Sequence, residues 1–165
     1  MNNQISILSA TQIAQKLRRM AYEIYEQNSN EKEIILIGIE HGGAIVAKNL
    51  STILSKISPL KVIILPLSIN KKAPLKDNLV IETSLTKKSI ILIDDVANSG
   101  KTLMYALKPI LAYEPSKIKV AVLVDRKHKN YPITPDIIGH SVSTTIQEKI
   151  IVNYEDEQLT GAFLE

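Results

Sequence analysis

Two adjacent carboxylates, Asp94 and Asp95, follow four apolar residues in the stretch IILIDDVANSGKT, which covers residues 90–102. The apolar run is typical of a buried strand, and the SGKT that ends the stretch is typical of a turn into a helix. A helix start offers unpaired backbone N–H groups to a phosphate, and a glycine there lets the backbone approach the ligand closely. The carboxylates suit a sugar diol or Mg²⁺. Together these groups fit one ligand that carries a phosphate and a diol, a ribose 5-phosphate.

Three other interpretations of this stretch compete. A P-loop NTPase also ends its phosphate loop in G-K-[ST], but the first glycine that this motif requires falls on Asp95. A phosphorylation receiver domain places its acidic pair near the start of the domain, whereas here a predicted strand already precedes the pair at Ile34. In a purely structural interpretation, Asp94 caps a helix and Asp95 is solvated. Two carboxylates directly after a buried run make that explanation harder to accept.

Composition narrows the class of protein. The 165 residues fit one domain, and a hydrophobic content of 45% with only 4% aromatic residues indicates an aliphatic core. The absence of cysteine excludes disulfides and thiolate chemistry. No secretory signal and no run of roughly 20 apolar residues is present, so we expect a cytoplasmic protein without membrane contact. The net charge of +3 suits an anionic partner such as a phosphorylated metabolite or nucleic acid, but equally a lysine-rich surface.

The rest of the sequence predicts alternating strands and helices that would position these residues. The capping box Ser9-x-x-Gln12 predicts a helix of about 18 residues. Its core-facing residues, at helical spacing, are Ile13, Leu17, Met20 and Ile24. Further helices are predicted at residues 44–57 and 101–112, and strands at 33–39, 61–67, 90–93 and 118–124, followed by short apolar pieces at 137–139 and 150–152. This order favours an α/β fold, a parallel sheet flanked by helices.

The stretch IILIDDVANSGKT resembles the PRPP (phosphoribosyl-pyrophosphate) motif of the type I phosphoribosyltransferases. GIEHGGAIVAKNL from residue 38 resembles the pyrophosphate-loop strand and helix of that family, and AVLVDRKHKNYPITPDIIG from residue 121 and EKIIV from residue 148 resemble its base-binding end. The pattern AVLVDR-x-H is most similar to the pyrimidine-operon attenuation regulators that double as uracil phosphoribosyltransferases. The resemblance implies one domain over residues 1–165, with a small base-binding hood and a flexible lid loop over residues 68–88, which the composition of that segment also indicates.

The same resemblance implies roles for individual residues. The ribose hydroxyls would be held, partly through Mg²⁺, by the catalytic pair Asp94 and Asp95. The 5-phosphate would bind among Asn98, Ser99, Gly100, Lys101 and Thr102. Pyrophosphate would bind at Glu40, His41, Gly42, Gly43 and Lys129. The base would pack against Ile150 and be read by the backbone of Ile151.

The activity implied is Mg²⁺-dependent transfer of ribose 5-phosphate from PRPP to a nucleobase, uracil first, with release of pyrophosphate. Neither Glu40 nor His41 supplies the fixed cation often found in the pyrophosphate loop of the family. Enzymes for hypoxanthine and guanine carry an acid in place of Asn98 and a lysine in place of Asp125, which counts against a 6-oxopurine here. A purine base stays an alternative, and Asp125 is equally well explained as orienting Arg126.

The second class of function is an RNA-binding attenuator of a pyrimidine operon that senses nucleotides, with weak or no catalysis. Basic side chains would supply its contacts to RNA phosphates, with Lys16, Arg18 and Arg19 as candidates. A charged helix face is more often explained by solubility, and one Phe with no Trp leaves few residues for base stacking. We expect a homodimer or higher homo-oligomer in either case.

Overall fold

The computed structural model describes residues 4–70, 72–73, 81 and 83–165. In chain order the elements are β1 (Ile5–Ser9), α1 (Ala10–Gln27), β2 (Glu33–Ile39), α2 (Gly42–Ile57), β3 (Lys61–Leu67), β4 (Ser89–Ala97), α3 (Lys101–Leu111), β5 (Lys117–Arg126), β6 (Ile137–Val142), β7 (Ile150–Glu155) and β8 (Gln158–Leu164). A five-stranded parallel sheet has the order β3-β2-β4-β5-β6, and a three-stranded antiparallel sheet has the order β1-β8-β7. The predicted α/β fold is therefore confirmed.

The parallel sheet has an aliphatic core on each face. Ile34 and Leu36 of β2 belong to the core formed with α1 and α2, whereas Ile35 and Ile37 belong to the core formed with α3. Because successive side chains of a strand point to opposite faces, one continuous apolar run supplies both cores. The strand sequences therefore show no alternation of apolar and polar residues, which is the pattern predicted for strands covered on both faces.

Helix α1 begins with the predicted capping box. The Gln12 amide donates to Ser9 Oγ at 3.3 Å, and the Ser9 amide donates to Gln12 Oε1 at 2.9 Å. The predicted inward residues Ile13, Leu17 and Met20 are buried, as is Ile24. Within the described part of the chain, neither this helix nor the other two is both long and apolar enough to cross a membrane.

Several predicted boundaries were wrong, and two strands were missed. Strand β4 does not end at Ile93 but continues to Ala97. Its pairing with β2 stops where Ile93 faces Gly38, but its pairing with β5 continues until Ala97 faces Asp125. Helix α2 begins at Gly42, two residues before the predicted start. Strands β1 and β8, with few or scattered apolar residues, were not predicted at all, and they complete the antiparallel sheet that carries β7.

Part of the predicted lid over residues 68–88 lies outside the described residues, namely 71, 74–80 and 82. On its C-terminal side, Ile81 and Leu85 are buried in the core on the α3 face. The Tyr113 hydroxyl donates a hydrogen bond to the carbonyl of Ile81. The segment therefore returns to the sheet through apolar contacts before β4 begins.

A buried polar link joins the end of α1 to the start of β4. Asn28 Nδ2 donates to the Ile24 carbonyl at 2.7 Å, and Ser89 Oγ donates to Asn28 Oδ1 at 2.6 Å, with both residues at most 2% exposed. We expect Asn28→Ala to lower the free energy of unfolding by about 2 kcal/mol, because the Ser89 hydroxyl then stays buried without this acceptor. Urea unfolding measures the loss, and exposed Asn30→Ala is the control. Additive losses in the Asn28→Ala/Ser89→Ala double variant would contradict the coupling.

Candidate active site

Two adjoining cavities lie at the carboxyl ends of the central parallel strands, where ligands bind in open α/β sheets. The larger has a volume of about 520 Å³ and the smaller about 110 Å³. Val96 and Asn98 line both cavities. One extended ligand could therefore occupy both, with its smaller end in the smaller cavity.

The predicted acidic pair occupies the last part of β4, beyond the point where β2 stops pairing. Asp95 is half-buried and lines the larger cavity, and its Oδ1 accepts a hydrogen bond from the Val96 amide at 2.8 Å. Asp94 is only 2% exposed, lines the smaller cavity, and accepts from the Asp95 amide at 3.0 Å. The two carboxylates therefore serve different cavities, which the sequence did not predict.

The predicted 5-phosphate residues surround the smaller cavity. All five of them line it: Asn98, Ser99, Gly100, Lys101 and Thr102. Helix α3 starts at Lys101, whose amide donates to Ser99 Oγ at 3.2 Å, and the next amides of its first turn, which have no partner within the helix, lie at this cavity. A single phosphate group is the ligand that such a helix start favours.

Gly100 makes the bend into α3 possible. Its φ of 84° lies in the left-handed region, and a Cβ at this position would come within 2.7 Å of Ile133 Cγ2. The preceding carbonyl, that of Ser99, accepts hydrogen bonds from the amides of Asn130 at 3.0 Å and Tyr131 at 3.1 Å. The segment after β5 therefore packs directly on the predicted phosphate loop and fixes its shape.

Asn98 lies where the two cavities meet and has an unsatisfied side chain. Its Oδ1 is buried and has no hydrogen-bond partner, and it is the one such side-chain atom among the described residues. A buried polar atom left unpaired costs about 1–3 kcal/mol. A ligand group that spans the two cavities could satisfy it, which makes Asn98 a candidate contact to the ribose or base as well as to the phosphate.

The predicted pyrophosphate loop joins β2 to α2 and forms one wall of the larger cavity. Glu40, His41 and Gly42 line this cavity, and the Glu40–His41 peptide bond is cis. Gly43 is buried, and a Cβ there would lie 2.5 Å from the Ile93 carbonyl oxygen and 2.9 Å from the Asp94 Cα. Gly42 lies against the Asp95 carboxylate in the same way. The two glycines thus bring the start of α2 into contact with the acidic end of β4.

Lys129, the remaining residue predicted to bind pyrophosphate, does not line the larger cavity. Its ammonium group donates to the Asp125 carboxylate and to the Arg126 carbonyl, and its side chain packs beside Gly100. Asp125 therefore pairs with Lys129 and not with Arg126, contrary to the orienting role considered above. The Arg126 guanidinium instead donates to Thr144 Oγ1 at 2.6 Å and to the Thr145 carbonyl at 2.7 Å.

The antiparallel sheet forms another wall of the larger cavity. Ile150 and Ile151 of β7, which were predicted to bind the base, line this cavity. The loop before β7 is held by Arg126 and by the Thr145 amide, which donates to Glu148 Oε2 at 2.6 Å. This hydrogen bond lowers the pKa of Glu148 below its ordinary value, and the Arg126 charge adds to the effect. The Glu148 carboxylate is therefore ionised at neutral pH and accepts this hydrogen bond just ahead of β7.

Five residues that line the larger cavity were missed as site residues: Ser68, Ile69, Val96, Val152 and Tyr154. Ser68 and Ile69 directly follow β3, so their place at a strand's carboxyl end was a signal available in the sequence. Val152 and Tyr154 follow the predicted base-binding residue Ile150 at a spacing of two, so their place on the same face of β7 was also a signal in the sequence.

The residues at these cavities fit a magnesium ion that arrives with its ligand. In the described part of the chain, no group of three or more His, Cys, Asp or Glu side chains could hold a metal ion. Mg²⁺ in proteins commonly uses one or two carboxylates together with substrate phosphates and water. Asp95, a carboxylate that lines the larger cavity, suits that arrangement.

The sequence as a whole is similar to known proteins. Residues 3–158 match the model of the phosphoribosyl transferase domain. The chain is 30% identical over 162 residues to the bifunctional protein PyrR of Limosilactobacillus reuteri, with 91% of each chain covered. It is 32% identical over 155 residues to the bifunctional protein PyrR of Streptococcus mutans, covering 89% of this chain and 86% of that protein.

Solved structures share the fold. A hypoxanthine-guanine phosphoribosyltransferase from Bacillus anthracis superposes with a TM-score of 0.74 at 20% identity, over 92% of this chain and 88% of that one. The hypoxanthine phosphoribosyltransferase of Trypanosoma cruzi superposes with a TM-score of 0.79 at 15% identity, over 94% of both chains. At these identities the superpositions bear on the fold and not on the choice of base.

Proposed function

This chain belongs to the type I phosphoribosyltransferase family, close to the PyrR proteins, and we propose on that basis that it transfers ribose 5-phosphate from PRPP to uracil and releases pyrophosphate. The observation that carries the proposal is the pair of adjoining cavities that meet at Asn98. The smaller suits one phosphate, and the larger suits a sugar and a base. Uracil is favoured because Asn98 and Asp125 replace the acid and lysine expected for a 6-oxopurine.

In this proposal the smaller cavity anchors the substrate. The amides at the start of α3 and the Ser99 and Thr102 hydroxyls donate to the oxygens of the 5-phosphate. The Ser99 carbonyl, held by the amides of Asn130 and Tyr131, keeps the loop in place before the substrate arrives. Such preorganisation lowers the entropy that binding must remove.

The larger cavity then holds the ribose between Asp95 and the base-binding wall. Asp95 accepts hydrogen bonds from the ribose hydroxyls, and Asn98 Oδ1 accepts one from the ribose or the base. Ile150 packs on the base, and Tyr154, which is 41% exposed, offers its ring for stacking at the same wall. The base nitrogen is thereby held against the anomeric carbon of the ribose.

The reaction is a displacement in which the bond from base nitrogen to anomeric carbon forms as the bond to pyrophosphate breaks, and the proton on that nitrogen passes to the released pyrophosphate or to water. Its rate depends on positioning and on charge stabilisation more than on covalent chemistry by side chains. Mg²⁺, when bound with the substrate, would neutralise the leaving group. In this proposal the Asp95 carboxylate, which lines the larger cavity, stabilises the positive charge that develops at the anomeric carbon, and Asp94 lies at the smaller cavity.

The direct experiment measures pyrophosphate release from PRPP and Mg²⁺ with a panel of free bases. We expect release with uracil and much less with hypoxanthine, guanine or adenine. Release of pyrophosphate with a purine and not with uracil would show that the purine, and not uracil, is the substrate. No release with any base, in a preparation that binds PRPP, would remove the catalytic proposal.

A second candidate function is RNA binding, which the word bifunctional in the names of the PyrR relatives favours. Of the predicted basic contacts, Arg18 is exposed with its guanidinium 5.8 Å from the Tyr22 ring centroid. Arg19 instead donates to the carbonyls of Ile138 at 2.8 Å and Gly139 at 2.7 Å, so it links α1 to β6. A shift assay with pyrimidine leader RNA at low and high salt tests the idea, since phosphate contacts weaken steeply with salt. No binding at low salt would remove it.

A further inference from the structure

The larger cavity has an unusual balance of charge for a site that must take a pyrophosphate group. Two carboxylates, those of Glu40 and Asp95, belong to its walls, and none of the described residues that line it is a lysine or an arginine. Lys129, the cation that the resemblance assigned to pyrophosphate, has its ammonium group bound to Asp125 and to the Arg126 carbonyl. The described residues of this cavity therefore repel the pyrophosphate of PRPP, which is its second anionic group after the 5-phosphate.

Glu40 is held at this wall by two hydrogen bonds. The Ser68 hydroxyl donates to Glu40 Oε2 at 2.9 Å, and the Glu40 amide donates to the Leu67 carbonyl at 3.0 Å. Both partners come from the end of β3, so the backbone and the carboxylate of Glu40 are fixed together. The negative charge thus stays beside the cavity.

The start of α2 offsets only part of this charge. A helix N-terminus carries roughly half a positive charge, which favours an anion. Here the Asp95 carboxylate already lies against Gly42, the first residue of α2. A protein carboxylate thus lies beside the helix start and offsets part of the positive charge that would favour a pyrophosphate oxygen there.

The smaller cavity is different. It is lined by Lys101 and by the residues at the start of α3, which offset the buried Asp94 carboxylate. A single phosphate meets amides and one ammonium-bearing side chain there. The favourable environment for phosphate is thus confined to one end of the site.

We propose that the Glu40 carboxylate makes this site bind a nucleoside 5′-monophosphate more tightly than PRPP, unless a divalent cation accompanies the pyrophosphate. The inference rests on the proposed function, because it assumes that the 5-phosphate binds in the smaller cavity. A nucleoside monophosphate places only a neutral base and sugar beside Glu40. PRPP places a polyanion there, and one unit charge at partly exposed protein distances changes affinity by about tenfold.

The test compares the dissociation constants of uridine 5′-monophosphate and PRPP by calorimetry, in EDTA and in Mg²⁺. Glu40→Gln removes the charge but keeps an acceptor for the Ser68 hydroxyl, and Glu26→Gln makes the same change at an exposed site on α1. In EDTA we expect Glu40→Gln to shift the ratio of the two constants about tenfold toward PRPP. Mg²⁺ should shrink that shift, and Glu26→Gln should leave the ratio within twofold.

The outcomes separate this inference from the proposed function. An unchanged ratio in Glu40→Gln, with both ligands bound, overturns the role of Glu40 and leaves the transferase proposal standing. An equal shift in Glu26→Gln overturns it as well, because the effect would then be one of net charge. If neither ligand binds the wild-type protein with or without Mg²⁺, both the inference and the proposed function fail.

Discussion

Replacing Asp95 with asparagine is expected to weaken the binding of PRPP with Mg²⁺ by roughly 10- to 100-fold and to leave the fold intact. The side chain is half-buried, lines the larger cavity and is held there by the Val96 amide at 2.8 Å. Asparagine keeps the shape and an oxygen for that amide. It loses the charge that a ribose hydroxyl and a magnesium ion would use, and hydrogen bonds to charged groups are the stronger ones.

Calorimetric titration with PRPP and Mg²⁺ measures this loss, with urea unfolding as the check on the fold. Asp156→Asn is the matched control, since Asp156 is exposed in the turn between β7 and β8 and does not line the cavity. Its φ of 46° is one that asparagine adopts readily. Unchanged PRPP affinity in Asp95→Asn would contradict the role assigned to this carboxylate.

Replacing Gly100 with alanine is expected to cost more, with 5-phosphate binding reduced by at least about 100-fold, which corresponds to a few kcal/mol of strain and lost contacts. The φ of 84° disfavours any side chain, and the new Cβ would come within 2.7 Å of Ile133 Cγ2. Relief of both effects would require the bend into α3 to change. The amides at that bend are those proposed to bind the phosphate.

Titration with uridine 5′-monophosphate measures the loss of affinity. This ligand has a 5-phosphate for the smaller cavity and no pyrophosphate. A second substitution separates the two causes of the loss, because Ile133→Ala in the Gly100→Ala background removes the steric overlap but not the positive φ. We expect partial recovery of binding in the double variant. Full affinity in Gly100→Ala would show that the loop does not bind the phosphate in the way proposed.

Much of the site was predictable because its residues lie in one continuous segment. The Asp94–Asp95 pair and the SGKT turn are adjacent along the chain, so their meeting needs only a strand followed by a helix. The strand at residues 33–39 and the helix that begins after Ser9 were also predicted correctly, since uninterrupted apolar runs and a capping box are local signals. Family membership, carried by the same residues, is confirmed.

The partners of long cationic side chains were not predicted. Lys129 was assigned to pyrophosphate by resemblance, and its ammonium group binds Asp125, four residues before it, and the Arg126 carbonyl. Arg19, named from the sequence as a candidate RNA contact, is exposed on α1, and its guanidinium also donates to the Ile138 and Gly139 carbonyls of the distant strand β6. A long cationic side chain finds whichever acceptor the fold brings within reach, and the sequence does not encode that distance.

The sequence by itself determined the alternation of strands and helices, the acidic pair at a strand's carboxyl end and the glycine turn after it, because each depends on residues within a few positions of one another. The tertiary structure decided that Asp94 and Asp95 serve separate cavities, that Asn98 is unpaired where they meet, and that β1 and β8 bring β7 to the site. It also decided that Glu40 is held by Ser68 beside Asp95. These features arise where chain segments far apart in sequence pack together, and packing there is set by the whole sheet.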